Sequence, residues 1–90
     1  MSVTLRLPTV LESAVGAVSM RVDGRTVGEA LDAACARFPN LRRHVLQESG
    51  ALRPHVLCLL NGACLPRASF AEAALRDGDD LEIHQAITGG

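Results

Sequence analysis

VSMRVDGRTVGEALDAACARF, residues 18–38, switches its hydrophobic period midway and so packs a strand, a turn and a helix into one short run. Val18, Met20 and Val22 alternate with Ser19, Arg21 and Asp23, the period-two pattern of a strand with one buried face. Asp23-Gly24 is a turn pair that stops it. Beyond the turn, Val27, Leu31, Ala34 and Phe38 recur at helical spacing, and Ala30 and Cys35 widen the same stripe. Thr26 with Glu29 three residues on reads as a capping box, in which hydroxyl and carboxylate each accept an otherwise orphaned backbone N–H. Pro39 ends the helix, because it has no N–H to give and its ring opposes helical continuation.

On the N-terminal side, Val3, Leu5 and Leu7 alternate with Thr4 and Arg6, giving a first strand that forms a hairpin with the second across a loop, PTVLESAVGA. On the C-terminal side, Asn40 is expected to cap a short second helix whose Leu41, Val45 and Leu46 face inward and which stops near Gly50. PHVLCLLNGACL then reads as strand, turn and strand, since Asn61-Gly62 suits the two positive-φ positions of a type I′ turn. SFAEAAL has room for one helical turn, RDGDD is a polar turn, and LEIHQAI resumes alternation with Leu81 and Ile83 on one face. The order β, β, α, β, β, β, without internal repeat or linker, predicts an α+β roll: a mixed sheet of four to five strands packed against one main helix. Residues 1–84 form the domain in this reading, and residues 85–90 form a flexible tail ending in Gly-Gly.

Ninety residues suit one core and not two. Apolar residues make up 48% and charged ones 21%, a globular balance, although Trp and Tyr are missing and Phe38 and Phe70 are the only aromatic rings. A net charge of −1 with no interleaving of basic and stacking residues argues against nucleic acid as a partner. All nine basic residues are Arg, so no Schiff-base lysine exists and no second copy can be joined through a lysine side chain. The opening MSVTLRLP lacks a secretory pattern, and the longest apolar run, Val56–Leu60, is far short of a membrane span. Cys35, Cys58 and Cys64 are odd in number and sit within apolar patterns, as expected of free thiols in a reducing cytoplasm.

The strand VLCLL is apolar on both faces. If Val56, Cys58 and Leu60 are core, Leu57 and Leu59 face solvent side by side, which suggests a partner patch bordered by Arg6 and by Glu82 or His84. The set His55, Cys58, Cys64 and His84 does not make a metal site: its spacings match no standard ligand pattern, and strand parity puts His55 and Cys58 on opposite faces. Asp77, Asp79, Asp80 and Glu82 read as a solvated acidic turn. Gly24 and Gly28 around Arg25 lack the spacing and Lys of a phosphate loop, and no catalytic acid, base or nucleophile set is assembled.

Three stretches carry a resemblance that spans residues 3–90 in the right order: GRTVGEALD at the helix start, HVLCLLNG at the strand-turn, and LRDGDDLEI followed closely by Gly89-Gly90. Together they resemble the MoaD/ThiS family of small β-grasp, ubiquitin-like sulfur carriers. The resemblance implies that a ubiquitin-activating-type adenylyltransferase uses ATP to adenylate Gly90. A sulfur donor protein then replaces AMP to leave a C-terminal thiocarboxylate, which a biosynthetic enzyme consumes. Gly89 is the required neighbour, no cofactor is bound, and the chain is a protein substrate with no catalytic residue of its own. Molybdopterin, thiamin, cysteine and secondary-metabolite synthesis are all possible destinations, and attachment of Gly90 to target lysines as a ubiquitin-like tag is the alternative role. Two departures stand out: Gln85 occupies a position where many members have Pro, and His84 replaces a bulky hydrophobe.

The tail's composition agrees with that chemistry. A carboxylate is a poor acyl donor until its oxygen is turned into a good leaving group, and that must happen inside another protein's pocket. Extended, residues 85–90 would reach roughly 20 Å at about 3.3–3.6 Å per residue. Two glycines leave no Cβ to clash with a narrow channel. Docking would then be shared between the tail, through Gln85 and Ile87, and the sheet face bearing Leu57, Leu59, His84 and Arg6.

Overall fold

The computed structural model describes residues 1–85. The first strand, β1 (Ser2–Arg6), pairs antiparallel with β2 (Ser19–Asp23), from Ser2↔Asp23 to Arg6↔Ser19, as the alternation predicts. The connection between them is more ordered than a loop: a 3-10 turn at Thr9–Leu11 leads into α1 (Glu12–Val15). Leu11 and Val15, four residues apart, both bury their side chains. That packing stabilises a helix too short to persist alone.

The main helix is α2 (Val27–Arg37), with Thr26 as its N-cap. Thr26 Oγ1 accepts the Glu29 N–H at 3.3 Å, while Glu29 Oε1 accepts the N–H of Arg25 at 3.0 Å, one residue before the cap. Thr26 itself forms a β-bridge with Ala74. Gly24 is required by close approach. A Cβ there would stand 2.6 Å from the Ala30 nitrogen, so only glycine lets β2 turn directly onto the first turn of α2. Val27, Ala30, Leu31 and Ala34 form the helix's buried stripe, with Cys35 and Phe38 at its margin.

Asn40 does not cap the next helix. In α3 (Pro39–Val45) the cap is Phe38 and Pro39 takes the first helical position, where its missing N–H has no partner to lose. Asn40 therefore lies inside the helix, and its Nδ2 donates to the Ala14 carbonyl at 3.1 Å, tying α3 to α1. Leu41, Val45 and Leu46 are buried as their spacing predicts.

Two strands follow, β3 (Val56–Leu60) and the short β4 (Ala63–Cys64), joined through Asn61 and Gly62 at φ 50° and 86°. Both angles are left-handed, as the type I′ reading requires. A 3-10 turn at Phe70–Glu72 buries Phe70, and the chain returns as β5 (Asp80–Gln85). Among the described residues the sheet has five strands in the order β2-β1-β5-β3-β4, with β1 and β5 parallel and the other pairs antiparallel. The sheet's inner face and the stripe of α2 share one core, which includes Val3, Leu5, Met20, Val56, Cys58, Leu81 and Ile83. This is the α+β β-grasp roll, with β5 at its centre.

One boundary moves. Gln85 pairs with Val56 and belongs to the sheet, not to the tail, because β3 offers it a ladder partner that local sequence does not reveal. The remaining tail positions, Ile87, Gly89 and Gly90 among them, lie outside the described residues.

Candidate functional site

The candidate docking face is built by three adjacent strands whose register aligns their outward side chains. Across the sheet, Arg6 of β1, Glu82 of β5 and Leu59 of β3 stand in one row, which continues to Cys64 of β4. The next row toward the end of β5 sets Leu57 beside His84, and the row on the other side sets Thr4 beside Asp80. Cross-strand neighbours of this kind are within side-chain reach of one another. The predicted grouping of Leu57, Leu59, Arg6, Glu82 and His84 on one face therefore holds.

Two details differ from the sequence reading. Leu57 and Leu59 are half-buried and not fully solvent-facing, since each has a longer polar side chain alongside it on β5. Gln85, expected to dock as part of the tail, is a strand residue that pleat parity puts with Leu81 and Ile83 on the inner side, opposite His84. It contributes instead to a shallow depression at the end of β1 and β5, which Arg6, Pro8, Ile83 and His84 also line. Ile87 lies outside the described residues, as do Gly89 and Gly90.

Charge on the face comes in short-range pairs. His84 Nε2 and Glu82 Oε2 are 2.8 Å apart, and Arg6 Nη2 lies 3.6 Å from Asp80 Oδ1. Local alternation did not reveal Asp80 as the partner of Arg6, because the pairing crosses between strands far apart in sequence. Farther along the acidic turn, Asp79 accepts hydrogen bonds from Asn61 Nδ2 at 3.0 Å and from the Arg76 N–H at 2.8 Å. The Asn61 side chain first, and the Arg76 backbone second, hold its carboxyl below the usual range. Asp77 accepts the Ser2 N–H at 2.8 Å. Asp77 and Asp79 therefore pin the turn to β1 and to the Asn61-Gly62 turn, and the turn is more than the solvated loop its composition suggests.

The thiols divide as parity demands. Cys58 is buried opposite Ile83, and that burial pushes its pKa up to about 12, with Cys64 adding to the shift. A neutral thiol of this kind is a packing group and not a nucleophile. Cys64 is exposed beside Leu59 on the outer side. Among the described residues no three His, Cys, Asp or Glu side chains gather closely enough to hold a metal ion. Nor is any described helix long and apolar enough to cross a membrane. What the outer face offers is contact chemistry, an apolar pair framed by the polar side chains of Arg6, Glu82 and His84.

Comparison with known proteins places this geometry. The ThiS family model matches residues 6–90. Small archaeal modifier protein 1 of Haloferax volcanii is 35% identical over 83 residues, covering 89% of this chain and 91% of the relative. A crystal structure of SAMP1 from the same organism superposes with a TM-score of 0.84 at 31% identity, covering 100% of both chains. A chain of the Amycolatopsis orientalis BexX/CysO complex gives a TM-score of 0.85 at 29% identity, covering 98% of this chain and 99% of that one.

Proposed function

The chain belongs to the ThiS family of ubiquitin-like sulfur carriers and modifiers, and from that membership we propose that it carries sulfur as a thiocarboxylate on Gly90. In this reading an adenylyltransferase joins the Gly90 carboxylate to AMP from ATP and releases pyrophosphate. A persulfide sulfur on a donor protein then attacks the acyl carbon and expels AMP. A second thiol takes the donor's inner sulfur into a disulfide, leaving the terminal sulfur on Gly90. The chain contributes no acid, base or nucleophile to these steps. Its part is to present the tail and to be gripped.

One observation carries the proposal: the family match runs through Gly89-Gly90, a few residues beyond the end of the central strand of the sheet. A tail that leaves a central strand has the whole outer face beside its root, so an enzyme holding the tail is brought against Leu57, Leu59, His84 and Arg6. The BexX/CysO complex supports docking of this kind, because there a chain of the same fold is found with a second protein. Purified chain incubated with ATP, the activating enzyme and a sulfur donor should gain the mass of one sulfur-for-oxygen exchange, localised to Gly90 by fragmentation. An unchanged mass with an active enzyme would refute the proposal.

The name of the Haloferax relative favours a second role, attachment of Gly90 to lysines of other proteins. Both roles share the acyl-adenylate and differ in the acceptor. Isopeptide-linked Gly-Gly remnants on target lysines in cell extracts would establish the second, and a chain lacking Gly89 and Gly90 should abolish both.

A further inference from the structure

On the helical side of the molecule, away from the outer sheet face, Arg42 and Arg43 of α3 and Arg53 ahead of β3 line one open groove with Leu46 in its floor. Gln47 and Glu48 line it too, so the lining holds three arginines and one carboxylate in a chain whose net charge is −1. Arg42 lies 3.8 Å from Asp32, but neither Arg43 nor Arg53 has a carboxylate within 4.0 Å among the described residues.

The groove is held in shape. Leu46 and Leu52 form a β-bridge, the Gln47 N–H donates to the Ala51 carbonyl at 2.8 Å, and Gln47 Nε2 donates to the Leu52 carbonyl at 2.9 Å. The Arg53 N–H donates to the Val45 carbonyl at 3.0 Å, which fixes Arg53 against the end of α3. Arg67 locks the other side: its guanidinium donates to the carbonyls of Leu52, Arg53 and Val56 at 3.1, 2.6 and 2.6 Å. An arginine on a fixed backbone loses less freedom when it captures an anion than one on a mobile loop.

We propose that this groove binds an acidic peptide segment of a partner protein, with Arg43 and Arg53 pairing with its carboxylates over the apolar floor of Leu46. Planar guanidinium groups pair with carboxylates through two parallel hydrogen bonds, which suits Arg for this task. The acidic turn of a second copy is a poorer occupant. Asp77 and Asp79 already accept internal hydrogen bonds, and Asp80 faces Arg6. Nucleic acid is a poorer occupant too, since no aromatic ring lines the groove for a base to stack on. The location has a use. Val56, three residues after Arg53, pairs with Gln85, so the groove stands at the end of the sheet from which the tail departs. A protein that handles the tail is within reach of it. That last point rests on the sulfur-carrier reading, whereas the groove's affinity for acidic peptide does not.

The test is a two-dimensional amide NMR titration of the full chain with a hexaglutamate peptide. Shifts should gather at residues 42–48 and 53, and should fade as salt is raised. R43E/R53E should weaken binding by about tenfold or more, while R25E/R76E, an equal charge change elsewhere, should leave it intact. The same spectra report whether each variant is folded, and R43Q/R53Q replaces the reversal if it is not. No localised shift at millimolar peptide, equal loss in both double variants, or tighter binding of hexathymidylate or inorganic phosphate at the groove would each overturn the proposal. Because neither activation nor sulfur enters the titration, a chain that binds the peptide yet never gains sulfur retains the groove and loses only the carrier reading.

Discussion

The two faces of the central strands are made from the same residues in alternation, yet they do different work. On the inner face of β3 and β5, Val56, Cys58, Leu81 and Ile83 are sealed in the core they share with α2 and exclude water almost completely. On the outer face, one residue along in each case, Leu57, Leu59, Glu82 and His84 remain in contact with solvent, and Glu82 and His84 meet at 2.8 Å. Stability is concentrated on the first face, and the proposed docking falls on the second. A single step in register separates them.

The sharpest way to break that contrast is to cut into the inner face. Leu81 is 0% exposed near the start of the central strand, so Leu81→Ala should leave a cavity and cost about 2–5 kcal/mol. That is a large share of the roughly 5–15 kcal/mol typical of whole domains, and urea unfolding should show it as a lower midpoint at similar slope. A loss under ~0.5 kcal/mol would mean that the core does not depend on β5.

Cys58 probes the same face more gently. Cys58→Ser buries a hydroxyl in place of a thiol and should cost about 1–3 kcal/mol while leaving sulfur loading of Gly90 intact. Its ionisation offers a second readout. The folded pKa of about 12 stands above the ordinary thiol value of 9.0, so the unfolded chain loses this proton first as pH rises. Stability from this group is complete below pH 9.0 and drains away as pH climbs toward about 12, by at most about 1.4 kcal/mol per pH unit. Cys58→Ala should flatten that part of the alkaline limb, and an unchanged limb would place the thiol in water. Under native conditions a maleimide should label Cys64 and spare Cys58.

Most of the inner face was legible in the sequence because its cues are local. Alternation marked β1, β2 and β5, the Thr26–Glu29 box marked the start of α2, and Asn61-Gly62 marked a hairpin. What escaped depends on contacts between distant segments. Gln85 is a strand residue only because Val56 lies beside it, and Asn40 is interior to α3 because Pro39 takes the first position and α1 offers a carbonyl. Leu11 and Val15, at helical spacing inside an apparent loop, were a readable sign of α1 that composition obscured. The arginine groove could not be seen at all, since Arg53 joins Arg42 and Arg43 only when the turn at residues 46–52 folds back.

The outer face should respond in the opposite sense. Leu59→Arg leaves the core untouched and should shift stability by no more than about 0.5–1 kcal/mol, given that the leucine is half-buried. Affinity for the activating enzyme should fall by about tenfold, because an apolar contact is replaced by a charge that must be desolvated. Equal affinity would remove β3 from the docking surface, and global unfolding would show that its outward position matters to the fold.

The smallest effect is the most discriminating. Arg6 and Asp80 are 3.6 Å apart, with side chains 59% and 46% exposed, and such pairs are screened and entropically loose. A double-mutant cycle of Arg6→Ala and Asp80→Ala should give a coupling of roughly 0–0.5 kcal/mol that salt erases. Arg6 also stands in the row of Glu82 and Leu59, so its removal should slow association with a tail-handling enzyme even though the fold does not register the loss. A coupling above ~1 kcal/mol would instead assign this charge to the architecture and blur the division between the faces. Weak coupling with a slower association rate would place Arg6 on the side of encounter, since charges on an interface rim act chiefly through how fast partners meet.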